Sequence, residues 1–112
     1  METIKENYLF KKAYTKGNKM TGKFLVVYGL KRKKGIRYGV TVSKKIGKAV
    51  LRNRARRRIK ECFRHILPYV KDGADIVFVA RGAIFDATFT QLFEAMKTQL
   101  KEGDLLYEEA SD

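Results

Sequence analysis

The sequence has very few of the side chains from which protein active sites are usually built. It contains one cysteine, one histidine and no tryptophan among 112 residues. A single cysteine, Cys62, excludes an intramolecular disulfide and a thiolate zinc site. A Ser-His-Asp or Cys-His arrangement would have to use His65, whose place beside Arg64 near the end of a basic segment is more typical of a partly exposed helix-end residue. The side chains of this protein therefore make it a poor candidate for a catalyst, and we expect no catalytic residue in it.

Long apolar runs are also missing. No stretch approaches the roughly 18 residues that a membrane span requires, and residues 1–7 lack the apolar core of a secretory signal. Apolar residues still make up 45% of the chain, which is enough for one folded domain over residues 1–112. We expect a cytoplasmic protein whose acidic tail is frayed from about Glu102.

Acidic residues are scarce in the first part of the chain. Residues 1–71 hold 22 Lys and Arg against three acids, a net of +19; residues 72–112 hold three basic residues against nine acids, a net of −6, which together give +13. Charge segregated in this way repels itself unless a polyanion neutralises it. Counterion release from a phosphate backbone is the usual compensation, so the charge favours a nucleic-acid partner over an unpartnered solvated surface.

The apolar periodicity alternates between that of helices and that of strands. It predicts a helix capped by Asn7 and ended by Gly17, a strand over 24–28, a strand over 38–42, a helix over 48–67, a strand over 76–80 and a helix over 88–101. The charged turn over 31–35 predicts that the first two strands pair as an antiparallel hairpin. The order is therefore helix, two or three strands, helix, strand, helix, which indicates an α+β fold, a single-domain two-layer sandwich of helices on a small sheet.

The predicted helix over 48–67 belongs to the most basic segment of the chain. From Lys44 to Arg64 there are ten basic residues and one acid. Its apolar residues recur at spacings of three and four: Leu51, Ala55, Ile59, Cys62, Phe63 and Ile66. The opposite face then carries Asn53, Arg57, Lys60 and Arg64, flanked by Arg54, Arg56 and Arg58. Guanidinium groups favour bidentate contacts with phosphate, so this surface predicts RNA binding, although a localisation signal or a helix on a membrane surface has similar features.

Aromatic residues are interleaved with this positive charge. Phe10 and Tyr14 share one face of the first predicted helix, and Val26 and Tyr28 share one face of the first strand. Aromatic faces beside cations are what a single-stranded nucleic acid requires, because its bases stack while its phosphates pair with the cations. The same residues could equally belong to the core, and spacing alone leaves the two readings open.

The segment over residues 43–57, SKKIGKAVLRNRARR, resembles the signature of the protein subunit of bacterial ribonuclease P, S-K-K-[IV]-G-N-A-V-x-R-N-R-x-[KR]-R. It departs from that pattern at Lys48, where the family usually has Asn, which leaves open whether Lys48 caps the helix or contacts RNA. Three further stretches are similar to family motifs: the capped helix with two aromatics over 7–14, the strand over 24–28, and the strand over 75–81.

The resemblance implies an α-β-β-β-α-β-α order with a left-handed βαβ crossover around the basic helix. It also implies a ribonucleoprotein that hydrolytically removes the 5′ leader of precursor tRNA, with Mg²⁺ and the active site held by a catalytic RNA. The expected partners are that RNA and precursor tRNA, without DNA or membrane. Residues expected at the leader are Phe10, Tyr14, Val26, Tyr28, Ser43, Lys44, Lys45 and Arg81. Residues expected to face the catalytic RNA are Lys48, Arg52, Asn53, Arg54, Arg56, Arg57, Arg58, Lys60 and Arg64.

Two other functions account for the same charge. A non-enzymatic RNA-binding module such as a ribosomal protein would have an equally basic helix, and so would a protein that places this helix on duplex DNA. Positions of any metal bound by the protein are unknown from the sequence.

Overall fold

A computed structural model describes residues 2–107. Its helices and strands are, in chain order, β1 (Glu2–Thr3), α1 (Asn7–Lys16), β2 (Asn18–Thr21), β3 (Leu25–Lys31), β4 (Ile36–Thr41), α2 (Ala49–Ile66), β5 (Ala74–Ala80) and α3 (Phe89–Glu102). Short 3-10 turns follow β4, α2 and β5. The predicted α+β class and all three helices are confirmed. The two-residue strand β1 was not predicted, because so short a segment has no periodicity of its own.

The strands form one mixed sheet in the order β1-β4-β5-β3-β2. β5 is parallel to β4 on one side and antiparallel to β3 on the other, with Phe78 opposite both Val40 and Val27. The antiparallel hairpin expected between the first two predicted strands, which are β3 and β4, is therefore wrong, because β5 lies between them. The apolar run of β5 is buried on both faces, and only a central strand is covered in that way.

Helices cover both faces of the sheet, so the predicted two-layer sandwich is wrong and the domain has three layers. On one face, α1 buries Leu9 and Ala13 in a small cluster with Val77. On the other face, α2 and α3 share the main core, where the rings of Phe63 and Phe78 lie 5.0 Å apart. Alternation along β5 sends Val77 and Phe78 to opposite faces, and each face needs its own helix.

The helix α2 is held by the apolar stripe that its sequence predicts. Ala55, Ile59, Cys62, Phe63 and Ile66 are all buried, whereas Leu51 is only half-buried. The helix follows Gly47, whose φ of +146° is unfavourable for other residues and whose Cβ would lie 2.7 Å from the Leu51 side chain.

The first helix begins one residue away from its predicted cap. Glu6 is the N-cap and makes no side-chain capping bond, and Asn7 is the first helical residue, so the predicted Asn7 cap is wrong. The Asn7 side chain is instead available at the surface beside β4. Gly17 ends the helix as predicted, in an extended conformation.

The segment after α3 packs against the domain as far as the structure describes it. Leu105 and Leu106 are buried, and Asp104 forms ion pairs with Lys71 at 2.6 Å and Lys31 at 3.4 Å. The prediction of a frayed tail from Glu102 is therefore wrong up to Tyr107, and its remainder, 108–112, lies outside the described residues. Within residues 2–107, no helix is long and apolar enough to cross a membrane.

Candidate nucleic-acid interface

Helix α1 packs against β3 and β5 and leaves a groove open between itself and β4. The Phe10 ring lies over Gly39, where an added Cβ would come within 2.7 Å of that ring. One helical turn later, the Tyr14 hydroxyl and Thr41 Oγ1 are 2.8 Å apart and share a hydrogen bond. These two contacts with β4 fix Phe10 and Tyr14 at one side of the groove.

Strand β3 supplies the neighbouring part of this surface. The rings of Tyr14 and Tyr28 meet edge to face with their centroids 4.9 Å apart. Val26 is in register with Val79 of β5, which is in turn in register with Thr41 of β4. The side chains of this row are only half-buried. The structure thus brings Tyr14, Val26 and Tyr28 to one face of the sheet, and their expected contact with the leader stays a prediction.

Cations reach the groove from two helices. The groove has a volume of about 460 Å³ and is lined by Asn7, Phe10, Lys11, Tyr14, Val40, Thr41, Val42 and Arg56. Arg56 was expected on the surface facing the catalytic RNA, but it lines this groove, with its guanidinium donating to Asn53 Oδ1 at 3.2 Å. Sequence reasoning missed Asn7, Lys11 and Thr41 as groove residues. The signal for Thr41 was strand alternation, since it follows Gly39 by two positions and shares its face.

Four predicted leader-binding residues lie at one edge of the sheet. Ser43, Lys44 and Lys45 follow the end of β4, and Arg81 follows the end of β5. Because β4 and β5 are parallel neighbours, these ends meet at the same edge. All four side chains are exposed. The Arg81 guanidinium donates to the Gly22 carbonyl at 3.0 Å, which fixes its position on the strand edge.

Helix α2 presents most of its predicted polar face to solvent. The exposed side chains are Asn53, Arg54, Arg57, Lys60 and Arg64, with Lys48 exposed at the N-cap. Lys48 makes no side-chain capping bond, so the substitution of the usual Asn leaves the first backbone N–H groups of α2 without that partner.

Two arginines of α2 are engaged within the protein. The Arg58 guanidinium donates to the carbonyls of Ile84, at 2.7 Å, and Ala87, so it ties α2 to the turn after β5. The Arg52 guanidinium donates to the Gly47 carbonyl at 2.9 Å and closes the loop that precedes the helix. Both side chains are half-buried. Their geometry assigns them structural contacts, and for Arg58 little of the guanidinium is left for RNA.

The last turns of α2 hold an exposed ion-pair cluster. Glu61 Oε1 lies 2.6 Å from the Arg64 guanidinium and 3.4 Å from His65 Nε2. The hydrogen bond from Arg64 lowers the pKa of the Glu61 carboxyl, with a smaller contribution from His65. Arg64 is therefore partly neutralised on the surface, unlike Arg54, and His65 is an exposed helix-end residue as the sequence predicts.

The described residues do not fit a metal site or a reactive thiol. Between residues 2 and 107, no three His, Cys, Asp or Glu side chains are grouped so that they could hold a metal ion. Burial raises the pKa of the Cys62 thiol to about 11, so the reactive thiolate is scarce at neutral pH. The chemical capacity of this surface is recognition, through aromatic faces and cations.

Comparisons with known proteins agree on one family. The family model for ribonuclease P matches residues 1–103. The ribonuclease P protein component of Clostridioides difficile (strain 630) is 44% identical over 104 residues, covering 91% of each chain, and that of Thermoanaerobacter sp. (strain X514) is 46% identical over 103 residues, covering 91% of this chain and 89% of the relative.

Solved structures give the same answer at the level of the fold. The RNase P protein of Staphylococcus aureus superposes with a TM-score of 0.82 at 33% identity, covering 94% of this chain and 97% of the other. The RNase P protein from Thermotoga maritima superposes with a TM-score of 0.74 at 28% identity, covering 83% and 89%. The chain therefore belongs to the bacterial ribonuclease P protein family, the protein subunit of a ribonucleoprotein endoribonuclease.

Proposed function

We propose that the chain holds the single-stranded 5′ leader of precursor tRNA in the groove between α1 and β4, and docks on the catalytic RNA through α2. In this way it assists the Mg²⁺-dependent hydrolysis that removes the leader and leaves the mature 5′ end. The observation that carries the proposal is the groove itself, in which aromatic rings and cations from two helices meet over an uncovered part of the sheet.

The groove offers both contacts that a single strand needs. Phe10 and Tyr14 supply aromatic surface on which bases can stack, and Tyr14 keeps 37% of its surface exposed. Lys11 and Arg56 stand beside them and can pair with phosphates. Stacking accepts any base, so this arrangement suits a leader of variable sequence.

The exposed face of α2 supports docking on the larger RNA. Asn53, Arg54 and Lys60 project from a helix whose other face is locked into the main core. A rigid helix holds its cations in a fixed pattern, and the planar guanidinium of Arg54 matches two phosphate oxygens at once. We place the catalytic-RNA contact here and the substrate contact in the groove.

Magnesium belongs with the RNA in this proposal. Mg²⁺ prefers octahedral oxygen ligands, commonly carboxylates and phosphates. Three carboxylates are engaged elsewhere: Asp75 is buried and bound by Arg37 at 2.7 Å, and Asp104 and Glu61 are held by lysine and arginine side chains. Within residues 2–107 the protein supplies no carboxylate cluster, and the phosphates of the two RNAs are the natural ligands.

We also infer that the β4–α2–β5 crossover is left-handed, which is rare. Arg81 N–H donates to the Phe24 carbonyl, so alternate residues of β5, including Val77, direct their backbone groups toward β3. The side chain of Val77 faces α1. For L-residues, this places β3 to the right of an upward β5 viewed from α1, and β4 to its left. From β4 on the left, the chain passes through α2, which lies behind the sheet in this view, and returns to β5 on the right. A crossover that moves to the right behind the sheet is left-handed.

A cytoplasmic location stays a prediction.

A reconstituted cleavage assay tests the proposal. We expect the purified protein alone to leave precursor tRNA intact, and its addition to the cognate catalytic RNA at low Mg²⁺ to restore accurate 5′ processing. Cutting by the protein alone, or no stimulation of the RNA, contradicts the proposal.

The leader contact is tested separately by binding to the holoenzyme. Replacing Tyr14 with leucine removes a groove ring, and we expect affinity for leader-bearing tRNA to fall by about 5- to 100-fold, while mature tRNA binds as before. Tyr14→Phe keeps the ring and should bind nearly normally. Tyr8→Leu is the matched control, because Tyr8 lies on the same helix, is 66% exposed and does not line the groove. Equal losses for both tRNAs would assign Tyr14 a structural role.

A further inference from the structure

A second pocket lies between the C-terminal half of α2 and β4, apart from the groove beside α1. It has a volume of about 260 Å³, and its lining is mostly apolar. The apolar part comes from Tyr38, Phe63 and Leu67, and the rim from Arg57, Lys60 and Arg64 with Glu61. None of its lining residues is shared with the groove beside α1.

The two sites draw on different residues of β4, the pocket on Tyr38 and the groove on Val40 and Thr41. Tyr38 precedes Gly39 on β4, so its side chain points to the sheet face that carries α2, whereas Gly39 faces α1. The Tyr38 ring packs against Phe63 with centroids 5.2 Å apart and the planes tilted by 44°. Tyr38 is only half-buried, so the part of its ring that Phe63 leaves uncovered lines the pocket.

The rim of the pocket is positively charged. Its one acid, Glu61, is already bound by Arg64 and His65. The ion pairs of the described residues include neither Arg57 nor Lys60. Both side chains are exposed. A ligand that enters this pocket therefore meets an aromatic ring below and unneutralised cations above.

We propose that this pocket receives one unstacked nucleobase of the catalytic RNA, with the base against Tyr38 and the flanking phosphates on Arg57 and Lys60. The proposal rests on the docking of α2 on that RNA and names a specific contact within it. A regular A-form duplex offers only its phosphates and the edges of its minor groove, so it leaves an apolar pocket unfilled, whereas a splayed base fills it by stacking. An acidic peptide would satisfy the cations and leave the aromatic floor unused.

The position of the pocket separates it from the substrate. Consecutive residues of α2 diverge: Arg56 lines the leader groove and Arg57 lines the pocket. Adjacent helical positions point about 100° apart, so the leader proposed for the groove approaches α2 from a different direction than a ligand of the pocket. We assign the base in the pocket to the ribozyme for this reason.

Binding of the catalytic RNA without substrate tests the stacking contact. Tyr38→Leu keeps apolar packing on Phe63 and removes the aromatic face, and we expect affinity for the catalytic RNA to fall by about 5- to 100-fold. Tyr38→Phe should bind within about twofold of the unmodified protein. The holoenzyme formed at saturating Tyr38→Leu protein should keep its preference for leader-bearing over mature tRNA. Loss of that preference would show that the pocket binds the precursor tRNA and would overturn the proposal.

A substitution at the exposed rim of the pocket tests the same contact without disturbing the core. Lys60→Gln changes one exposed cation, and we expect weaker binding with the slope of log affinity against log salt reduced by about 0.7–0.9. Lys101→Gln is the control, because Lys101 is an equally exposed lysine on α3, away from the pocket, and should change neither quantity.

Chemical probing identifies the base. In the complex with the unmodified protein, one unpaired nucleotide of the catalytic RNA should lose base reactivity, and Tyr38→Leu should restore it. If Tyr38→Leu and Lys60→Gln bind the RNA normally while Arg54→Gln binds weakly, the pocket is not a nucleotide site and the docking function of α2 still stands.

Discussion

Arg58 and Arg54 lie one turn apart on α2, and the structure gives them different roles. The Arg58 guanidinium donates to two backbone carbonyls in the turn after β5, whereas Arg54 projects into solvent. The same substitution at the two positions, Arg58→Gln and Arg54→Gln, should therefore affect different properties of the protein. The first should lower the stability of the protein, and the second should lower its affinity for RNA.

The size of the Arg58 effect follows from its two acceptors. Ile84 and Ala87 are both buried, so water replaces the guanidinium poorly at their carbonyls. Hydrogen bonds to a charged group contribute about 1.5–3 kcal/mol each, and glutamine restores part of one, which leaves a loss of roughly 2–4 kcal/mol. In a domain of this size, such a loss lowers the melting temperature by roughly 10 °C or more. At exposed Arg54, the change in stability should stay within about 0.5 kcal/mol.

Two measurements on the same proteins check the pair. Thermal unfolding followed by circular dichroism gives stability, and filter binding to the catalytic RNA over a range of salt gives the number of phosphate contacts. Arg54→Gln should reduce the salt slope by about 0.7–0.9, and Arg58→Gln should leave it unchanged below its melting temperature. The reasoning is refuted if Arg58→Gln melts like the unmodified protein and loses a phosphate contact.

Three further predictions concern groups away from the RNA surface. Cys62, whose pKa burial raises to about 11, should resist alkylation near neutral pH in the folded protein and react once the protein is unfolded in urea; rapid reaction without denaturant would contradict its burial. The pKa of Asp104 is lowered, first by the hydrogen bond from Lys71 and then by Lys31, so its contribution to stability is present above the pKa of an unfolded aspartate and is lost as pH falls through the lower folded value. Melting curves of Asp104→Asn should accordingly approach those of the unmodified protein in acid and fall below them near neutral pH. Gly73→Ala should destabilise the fold by more than about 1 kcal/mol, because Gly73 has a φ of +86° and a Cβ would lie 2.4 Å from the Arg32 carbonyl oxygen; an unchanged urea midpoint would show that the turn relaxes freely.

Local patterns predicted the helices well and the strand pairing poorly. The stripe from Ala55 to Ile66 repeats with the period of a helix, and its burial follows directly. The turn over 31–35 has the composition of a hairpin turn. Strand pairing depends on the whole sheet, however, and β5 inserts between β3 and β4. The continuous apolar run of β5 predicts a central position, since a strand buried on both faces lies at the centre of its sheet.

Charge alone was also an incomplete guide to the surface. The acidic composition after Glu102 predicted a frayed tail, yet Leu105 and Leu106 are buried there and Asp104 is held by two lysines. Among the arginines of α2, helical spacing identified the exposed face correctly. It could not show that Arg58 reaches two carbonyls of a turn that is distant in sequence, because that contact depends on the tertiary fold.

Arg56 and Arg57 are adjacent in sequence but line different sites, the groove and the pocket. The helical phase of α2 therefore limits which changes in sequence preserve both. Each residue turns the helix by about 100°, so an insertion or deletion between Arg57 and Ile59 would rotate both arginines out of phase with the buried stripe that follows them. Point substitutions change one contact at a time, whereas a change in length within the helix disturbs both proposed RNA contacts and the packing together. Within this family we therefore expect α2 to vary by substitution and to keep a fixed spacing from Gly47 to Phe63, with changes in length confined to the loops.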